Sequence, residues 1–285
     1  MMEPHASLSP KHPMRATAMP SLRLGIDLGG TWLRAVLADA HGRVLGRSRM
    51  PAVDWRRLPD ALRRLRRGLG FHRLGLLTVG SKGLWSKADR SQARKALATW
   101  ARRVRVVSDV ELAQAAAFAG GAGILVVAGT GSIALARDRR GRIRRAGGWG
   151  PLLGDQGSAF WIGRCAAQDQ GLRRKLGLDP LKLAHGANPV RAVAGVAPKV
   201  LRLAKTDVRA RRIRDAATRH LADLAAEAGR GLDFGGPLPV SWRGGLFQDR
   251  DFRARFAREL RRRLRGSELI PPRLPAELAA AALEW

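Results

Sequence analysis

Short apolar runs and longer amphipathic runs alternate along this chain. The first two apolar runs cover residues 22–28 and 32–37, and Gly29-Gly30-Thr31 separates them. Short apolar runs joined by a glycine turn predict two buried strands of a β-hairpin, because glycine adopts the positive φ of a tight turn at little cost. A third strand predicted over residues 43–49 extends this hairpin into an antiparallel meander.

After the meander, the spacing of apolar residues changes to that of helices. Apolar residues at helical intervals predict helices over residues 58–69 and 91–103, with Ser91 as the N-cap of the second. Short apolar runs predict buried strands over residues 74–79 and 104–107. An alanine-rich helix comes next, and this alternation of strands and helices is typical of an α/β protein.

The hairpin pattern returns in the second half of the chain. A strand predicted over residues 123–128 leads into the turn Gly129-Thr130-Gly131-Ser132, and another strand follows over residues 133–137. Each glycine turn presents backbone N–H groups that can cradle a phosphate. The repetition therefore predicts two related halves that face one ligand.

The remaining sequence is predicted to be mostly helical. A glycine-dense loop over residues 147–158 is too long for a simple turn, and long ordered loops usually carry function. One strand is predicted over residues 238–242, and Gly244-Gly245 after it would let a nucleotide approach the backbone closely. The alanine-rich tail over residues 271–285 is predicted to pack on the C-terminal half.

Asp27 stands at the end of the first predicted strand and faces the Gly29-Gly30-Thr31 turn. A carboxylate beside a phosphate-sized pocket would repel the phosphate unless a divalent cation lies between them, often through water. The hairpin therefore indicates a magnesium nucleotide, with Asp27 holding Mg²⁺ through water. A glycine turn in an ordinary hairpin is the alternative interpretation.

The charge of the chain raises the question of a nucleic-acid partner. The formal net charge is +30, from 53 Lys and Arg residues against 23 Asp and Glu residues. The arginines are scattered through nearly every predicted helix, and the sequence contains no zinc finger, RNA-binding signature or aromatic stacking platform. We therefore expect solvated basic faces and no specific nucleic-acid partner.

Cysteine usage and terminal composition restrict the cellular setting. Cys165 is the single cysteine, so an intrachain disulfide or a cysteine-ligated structural metal site is not expected. Residues 1–20 have no continuous apolar core and are predicted to be a disordered extension, neither a signal peptide nor an anchor. No later run is long enough for a membrane helix. A cytoplasmic protein without a membrane partner is expected.

Four motifs occur in a recognisable order. They are Gly25-Ile26-Asp27-Leu28-Gly29-Gly30-Thr31, Ala128-Gly129-Thr130-Gly131-Ser132, Gly148-Trp149-Gly150-Pro151-Leu152-Leu153-Gly154-Asp155-Gln156-Gly157-Ser158-Ala159-Phe160-Trp161-Ile162-Gly163, and Arg243-Gly244-Gly245-Leu246. With these motifs the chain resembles the BadF/BadG-type ATPase family of the sugar-kinase, Hsp70 and actin superfamily, and most closely its N-acetylglucosamine kinase-like members. The third motif is the most specific, and the resemblance spans about residues 22–282.

This resemblance implies an α/β fold with two ribonuclease-H-like, actin-like ATPase lobes and a cleft between them. The N-terminal lobe would span residues 21–120 and the C-terminal lobe residues 121–285. ATP would lie on the floor of the cleft and a sugar near the hinge. The implied activity is ATP-dependent phosphorylation of an amino sugar, most closely N-acetylglucosamine at its 6-hydroxyl, with Mg²⁺ as cofactor. Relatives are often dimers, so a homodimer is a further expectation.

The resemblance also implies roles for individual residues. Asp109, which follows the strand over residues 104–107, matches the aspartate that accepts the hydroxyl proton in phosphoryl transfer, and a helix-capping aspartate is the alternative. The residues implied in ATP and phosphate binding are Gly29, Gly30, Thr31, Gly129, Thr130, Gly131, Ser132, Gly244 and Gly245. The residues implied in substrate binding are Asp109, Thr130, Gly150, Asp155 and Gln156. A turn-forming Asp155 that fixes the glycine loop is the alternative for that residue.

Two departures from the family pattern leave the identity of the sugar substrate open. Gln156 stands where relatives often have Glu, and residues 49–55 show no clear match to the sugar-contacting segment of acetylated-sugar kinases. Glucosamine and glucose therefore remain alternatives. Trp149 and Trp161 are interpreted as packing residues rather than sugar platforms.

Two rivals to a sugar kinase share its fold. One is an ATPase activator of a radical-generating enzyme, but such activators need two cluster-binding cysteines per chain, and Cys165 stands alone. The other is a nucleotide-gated regulatory protein that uses the basic surface. The presence of Asp109 beside both phosphate motifs favours an enzyme.

Overall fold

The first lobe is built on five strands, β1 (Arg23–Leu28), β2 (Trp32–Ala38), β3 (Val44–Pro51), β4 (Leu74–Ser81) and β5 (Ala101–Ser108). Their order in the sheet is β3-β2-β1-β4-β5. The first three strands form the predicted antiparallel meander, and β4 and β5 run parallel to β1. This computed structural model describes residues 22–283, so the extension predicted over residues 1–20 lies outside the described residues.

Two helices cover this sheet, α1 (Leu58–Leu69) and α2 (Lys87–Leu97). The buried face of α1 consists of Leu58, Ala61, Leu62 and Leu65, which pack into the same core as the β1 and β4 side chains. This spacing places apolar residues on one face of a helix, which is why the sequence pattern predicted α1 with the correct ends.

The N-cap predicted for α2 is wrong. The helix begins after Ser86, whose side chain accepts a hydrogen bond from the Asp89 N–H, and Ser91 lies inside the helix. The helix also ends at Leu97, because residues from Ala101 onward pair with β4 in strand β5. Either serine could cap a helix, so local sequence did not discriminate between them.

The second lobe repeats the plan of the first. Its strands are β6 (Gly123–Ala128), β7 (Ser132–Arg137), β8 (Ile143–Gly147), β9 (Leu238–Arg243) and β10 (Ser267–Leu269). The order β10-β9-β6-β7-β8 again places an antiparallel meander on one side and parallel strands on the other. Strands β6 and β7 thus occupy the places that β1 and β2 hold in the first sheet, as the repeated hairpin pattern predicts.

Nine α-helices accompany the second sheet or follow it along the described chain. They are α4 (Gly150–Leu153), α5 (Ala159–Gln168), α6 (Gln170–Leu176), α7 (Pro180–His185), α8 (Pro189–Ala194), α9 (Ala197–Leu203), α10 (Val208–Gly229), α11 (Arg250–Arg263) and α12 (Ala276–Ala282). Phe247, Phe252 and Phe256 are fully buried and their rings meet edge to face. This cluster helps to anchor α11 to the core of the second lobe.

A small-residue helix joins the two lobes. Helix α3 (Asp109–Ala117) contacts strands of both sheets, and its alanines permit this close approach. Val110, Ala113 and Ala117 pack with Leu125 of the second sheet. Leu112 packs with Val107 and with α12, and it lies so close to Gly80 that a Cβ there would approach Leu112 Cδ2 to 2.4 Å. The cleft between the lobes therefore has α3 as part of its floor.

The prediction that the C-terminal tail packs on the C-terminal half is wrong. Helix α12 crosses back to the first lobe and contacts β1, β2, β4 and α3. The contact is tight, because a Cβ on Gly25 would lie 2.3 Å from Glu277 O and 2.4 Å from Ala281 N. An alanine-rich helix has no intrinsic preference for either lobe, so its place depends on which surface has room for it.

The prediction that Trp149 is a buried packing residue is also wrong. Its side chain is 64% exposed, next to the exposed Leu152 and Leu153 of α4. Trp161 is half-buried and packs edge to face against His220. Trp149 lies in the glycine-dense loop, where Gly147, Gly148 and Gly150 all have positive φ angles.

Candidate active site

Two glycine turns lie at equivalent ends of the two sheets. In the first, Gly29 N–H donates to Trp32 O at 3.0 Å and leaves Gly30 and Thr31 exposed at the tip. In the second, Gly129 N–H donates to Gly131 O at 3.0 Å and leaves Thr130 exposed. One backbone hydrogen bond therefore closes each turn, and the residues at its tip remain exposed.

Helix α5 supports the second turn from behind. Ala159 N–H donates to Gly129 O at 2.9 Å, and Phe160 N–H donates to Thr130 O at 3.2 Å. Ser158 caps the helix by accepting from Trp161 N–H. The first-turn N–H groups of α5, which otherwise lack partners in a helix, therefore fix the carbonyls of the turn and hold its shape.

The adenosine motif lies directly beside this turn. Gly244 has a φ of +113°, and a Cβ at that position would lie 2.2 Å from Ala128 O. A residue without a Cβ is therefore required where β9 passes the end of β6. Gly245 then opens a 3-10 turn over Gly245–Gln248.

A cavity of about 680 Å³ lies between these elements. Gly129 and Thr130 line one side, Gly245 and Leu246 line another, and α8 and α9 close it with Arg191 and Arg202. Its volume falls in the range of small-molecule and cofactor sites. Apolar walls with two guanidinium groups suit a purine base that carries anionic phosphates. Arg191 and Arg202 were not predicted, because nothing in their helical pattern distinguishes them from other surface arginines.

Asp27 is buried beneath the first turn, with 1% of its surface exposed. Its Oδ2 accepts a hydrogen bond from Arg243 Nη2 at 2.9 Å and lies 3.5 Å from Arg34 Nη1. Its Oδ1 has no hydrogen-bond partner among the described residues. Arg243 belongs to the second lobe, so this ion pair joins the two lobes at the base of the cleft.

The donor set around Asp27 fits a hydrated magnesium ion. Among residues 22–283, no group of three or more His, Cys, Asp or Glu side chains could hold a metal directly. Magnesium, however, keeps several waters and is held by few carboxylates together with substrate phosphates. The unpartnered Oδ1 of Asp27 is a suitable acceptor for one such water.

Asp109 is the first residue of α3 and does not cap that helix through its side chain. Ser108 is the N-cap, and its side chain and that of Glu111 form a reciprocal capping box. The Asp109 carboxylate accepts from Val110 N–H at 3.0 Å. The alternative interpretation of Asp109 as the helix cap is therefore wrong, and its second oxygen is left for another partner.

Charged groups from both lobes influence the pKa of Asp109. Burial raises the pKa of the Asp109 carboxyl above its ordinary value, while the guanidinium of Arg243 opposes that rise. The carboxylate of Asp27 raises this pKa further, and the ammonium group of Lys82, in the loop after β4, lowers it. Asp27, Asp109 and Arg243 thus form one electrostatic cluster, which the structure assembles from three separate segments.

Asp155 is held against the second turn. It is buried, and its Oδ1 accepts from Ser132 N–H at 3.0 Å. Both carboxylate oxygens lie against the Gly131 backbone, where a Cβ would approach them to 2.8 Å. Burial raises the pKa of Asp155, and the Ser132 hydrogen bond and Lys82 oppose that rise. Asp155 therefore has at least a structural role in the turn.

The neighbours of Asp155 differ in exposure. Gln156 is exposed, and its carbonyl oxygen accepts a hydrogen bond from Ser132 Oγ at 2.7 Å. Gly150 begins α4 with a φ of +79°, and its carbonyl accepts from Gly154 N–H. Lys82 was not predicted, but it faces both Asp109 and Asp155 electrostatically. The sequence did not single out Lys82, because a lysine in a Gly-Ser-Lys-Gly loop forms no pattern that indicates a function.

The chain has two five-stranded α/β lobes with equivalent glycine turns, a charge cluster shared between the lobes and an adjacent cavity. These features define an actin-like fold of the ATPase and sugar-kinase type. A family model described as the BadF/BadG/BcrA/BcrD ATPase family matches residues 24–281. The chain belongs to this family. The resemblance inferred from the four motifs is thereby confirmed.

Curated relatives and solved structures agree with this placement. An N-acetylmuramic acid/N-acetylglucosamine kinase of Clostridium acetobutylicum is 31% identical over 157 residues, covering 49% of this chain and 50% of that protein. An N-acetyl-D-glucosamine kinase of Dictyostelium discoideum is 30% identical over 162 residues, covering 49% of this chain and 51% of that protein. The chain thus spans about half the length of the curated relatives it matches.

Structural similarity extends over nearly the whole chain. A candidate N-acetylglucosamine kinase from Chromobacterium violaceum is 26% identical with a TM-score of 0.72, covering 92% of this chain and 98% of that one. A ROK hexokinase from Thermus thermophilus is 20% identical with a TM-score of 0.62, covering 92% and 96%, and it supports the fold alone. In the described residues 22–283, no helix is both long and apolar enough to cross a membrane.

Proposed function

We propose that this chain is an ATP-dependent kinase that phosphorylates an amino sugar, with N-acetylglucosamine at its 6-hydroxyl as the leading substrate. The family membership and the names of the relatives support the sugar-kinase class. The single observation that carries the proposal is the position of Asp109. It places a partly buried carboxylate, free of capping duty, in the same charge cluster as Asp27 and Arg243.

The reaction proposed for this cluster is an in-line transfer of the γ-phosphoryl group from ATP to a sugar hydroxyl. Asp109 accepts the proton of the attacking sugar hydroxyl as the oxygen forms its bond to the γ-phosphorus of ATP. The bond from that phosphorus to the bridging oxygen breaks, and its electron pair leaves with ADP. Mg²⁺, when bound with the nucleotide, supplies charge neutralisation, and Asp27 would hold it through water.

The nucleotide is proposed to lie against both glycine turns. The backbone of Gly29, Gly30 and Thr31 would approach its phosphates from the first lobe, and that of residues 129–132 from the second. The cavity beside Gly244 and Gly245 would take the adenosine. In this orientation the terminal phosphate would face Asp109.

The sugar is proposed to bind on the opposite side of Asp109. Thr130, Gly150, Asp155 and Gln156 would contribute to it, although Asp155 also stabilises the second turn through Ser132. Sugar affinity and nucleotide affinity are therefore expected to fall together when Asp155 is substituted. The exposed Gln156 is the better residue for changing sugar preference alone.

The test is an assay of ADP release with Mg-ATP and a panel of sugars. The panel contains N-acetylglucosamine, glucosamine, glucose, N-acetylmannosamine and N-acetylmuramic acid, with a control that lacks sugar. We expect turnover with an N-acetylated amino sugar well above the control, and the product's phosphorylated position can be read by nuclear magnetic resonance. Turnover with glucosamine or glucose instead would support the kinase activity and identify a different substrate. ADP release that no sugar increases would contradict the proposal and favour an ATPase or regulatory role.

A further inference from the structure

Arg243 occupies an unusual place for a cation. It is the last residue of β9, directly before Gly244, and it lies in register with Val127 near the end of β6. The second glycine turn begins two residues after Val127, so the backbone of Arg243 lies beside the strand that leads into that turn. Its side chain is 37% exposed and extends across the cleft to the first lobe.

The contact that Arg243 makes across the cleft is with the candidate magnesium-binding carboxylate. Arg243 Nη2 donates to Asp27 Oδ2 at 2.9 Å, and Arg34 Nη1 lies 3.5 Å from the same oxygen. Two guanidinium groups therefore face one carboxylate oxygen. Arg243 makes the hydrogen bond and Arg34 makes only the longer ion-pair contact, so Arg243 is the guanidinium that Asp27 orients across the cleft.

Arg243 also has hydrogen-bonding capacity in reserve. Among the described residues, Asp27 is the one partner that accepts a hydrogen bond from the Arg243 side chain, and a guanidinium carries further N–H donors in a planar fork. That fork matches two oxygens of a phosphate group better than a lysine ammonium does. Arg243 lies close enough to Asp109 to oppose the rise of its pKa.

We propose that Arg243 is a further catalytic residue, whose guanidinium binds the terminal phosphate of ATP and stabilises it during transfer. This inference rests on the proposed kinase function. Asp27 holds the guanidinium in place before the nucleotide arrives, and the remaining N–H donors bind non-bridging oxygens of the γ-phosphate. Oriented donors of this kind act on charge that is redistributed in the transition state.

In the transfer step, Arg243 exchanges no proton and forms no covalent bond. The sugar oxygen forms a bond to the γ-phosphorus, its proton moves to Asp109, and the bond between that phosphorus and the bridging oxygen breaks. The electron pair of the broken bond stays on ADP. Arg243 stabilises the non-bridging oxygens throughout, as a cation supplied by the second lobe.

The alternative role for Arg243 is structural, as an ion pair that ties the lobes together. The two roles differ in which part of the nucleotide depends on Arg243. An arginine that binds the γ-phosphate affects ATP more than ADP and leaves adenosine binding unchanged, because ADP and adenosine lack that phosphate. A purely structural arginine changes the affinities for ATP and ADP in the same proportion, because the phosphates of both nucleotides would contact both glycine turns.

The experiment measures ATP, ADP and adenosine binding by calorimetry, without magnesium and without sugar, for wild type and three variants. Arg243→Met removes the charge at similar length, and Arg243→Lys keeps the charge without the planar fork. Arg34→Met is the matched control, because it removes the other arginine from the same carboxylate oxygen. Circular dichroism and thermal unfolding check that each variant is folded.

For Arg243→Met we expect ATP affinity to fall at least about tenfold, the loss expected for a charge-assisted contact to phosphate, with a smaller loss for ADP and no change for adenosine. Turnover with the preferred sugar should fall about a hundredfold, as for removal of one oriented donor. Arg243→Lys should lie between wild type and Arg243→Met, and Arg34→Met should stay within about threefold of wild type in both measurements.

Equal losses of affinity for ATP and ADP, or an unchanged ATP affinity in Arg243→Met, would overturn the proposal. The same holds if Arg34→Met loses as much ATP affinity as Arg243→Met. If Arg243→Met does not fold, Arg243→Lys decides, because wild-type turnover and ATP affinity in that variant would exclude a role for the planar fork. The binding comparison needs no sugar, so it stays decisive even if no sugar in the panel is phosphorylated.

Discussion

At the scale of single residues, the protonation state of Asp109 is the central property of the site. Its side chain sits at the N-terminus of α3, where the helix dipole favours a negative charge. Burial nevertheless raises the pKa of Asp109 above its ordinary value of 3.8, with Asp27 adding to the rise and Arg243 opposing it. A raised pKa improves a carboxylate as a proton acceptor, because it binds the proton more tightly.

The first prediction concerns the pH dependence of this residue. Asp109 must be ionised to accept a proton, so kcat/KM should rise with pH through the raised pKa and level off above it. Asp109→Asn should lower kcat by about a hundredfold or more, the usual contribution of a general base, and leave ATP affinity near wild type. Steady-state kinetics across pH and calorimetry with ATP provide the measurements.

A matched control for this substitution is Asp60→Asn, which removes an acidic residue from the first turn of α1, outside the cleft. We expect that variant to keep wild-type kinetics. Residual activity of Asp109→Asn that still falls at acid pH with the same midpoint would assign the titration to a different group. Comparable kcat in Asp109→Asn and wild type would remove Asp109 from the role of base.

At the scale of secondary-structure elements, glycines decide where elements can pack. Gly244 permits β9 to pass the end of β6, and Gly25 permits α12 to lie on β1. In both cases the atom that a Cβ would meet is backbone rather than a flexible side chain. Such contacts cannot be relieved by a rotamer change, so the element must move or the substitution must destabilise the fold.

The second prediction tests the placement of α12. Gly25→Ala should lower the free energy of unfolding by about 2 kcal/mol or more, because its Cβ would overlap with Glu277 O and Ala281 N. Gly68→Ala is the control, since it lies in α1 and a Cβ there meets nothing within 4 Å among the described residues. That variant should be stabilised by roughly 0.5 kcal/mol or more.

Urea unfolding followed by circular dichroism measures both variants. Equal stability of Gly25→Ala and wild type would show that α12 does not rest against β1 in solution. Trypsin digestion of Gly25→Ala provides a second reading, because the exposed Arg273, which precedes α12, should be cleaved first when the helix is displaced.

At the scale of the whole molecule, three contacts join the two lobes in addition to the return of α12 to the first lobe. Helix α3 packs on both sheets, the Arg243–Asp27 ion pair crosses the base of the cleft, and a stacked trio stands at its edge. In this trio the Arg145 guanidinium lies 5.0 Å from the Trp85 ring of the first lobe and 4.4 Å from the Trp149 ring of the second. Cation–π contacts at exposed sites contribute roughly 0.5–1 kcal/mol each.

The third prediction is that Arg145 helps to hold the lobes together when the sugar binds. The proposed kinase reaction requires that water be excluded from the transferring phosphate, so we expect the lobes to close further on sugar binding. Arg145→Ala should raise the KM for the sugar about fivefold and expand the unliganded protein in small-angle scattering, because it removes two cation–π contacts. Stability should change little, since Arg145 is exposed.

Arg144→Ala is the control for this variant. Arg144 lies on the same strand, but its Nη1 donates to Arg230 O within the second lobe. It should keep the KM and the scattering profile of wild type. If Arg145→Ala keeps both as well, or if saturating sugar produces no compaction of the wild type, closure through this trio is refuted.

The sequence by itself determined the two hairpins, their glycine turns and most of the helices. These features depend on local chemistry: apolar periodicity specifies buried strands and helix faces, and glycine specifies turns. Asp27 and Asp109 could be singled out because each stands next to a strand end, where side chains of an α/β fold meet. The four motifs then indicated the family, which the family model confirms.

Only the tertiary structure decided the contacts between distant segments. Arg243 meets Asp27 across 216 positions, Lys82 faces both Asp109 and Asp155, and α12 returns to the first lobe. The sequence offers many arginines and alanines with the same local pattern, so none of these partners could be chosen from it. Selection among them depends on which surfaces meet when the two sheets close around α3.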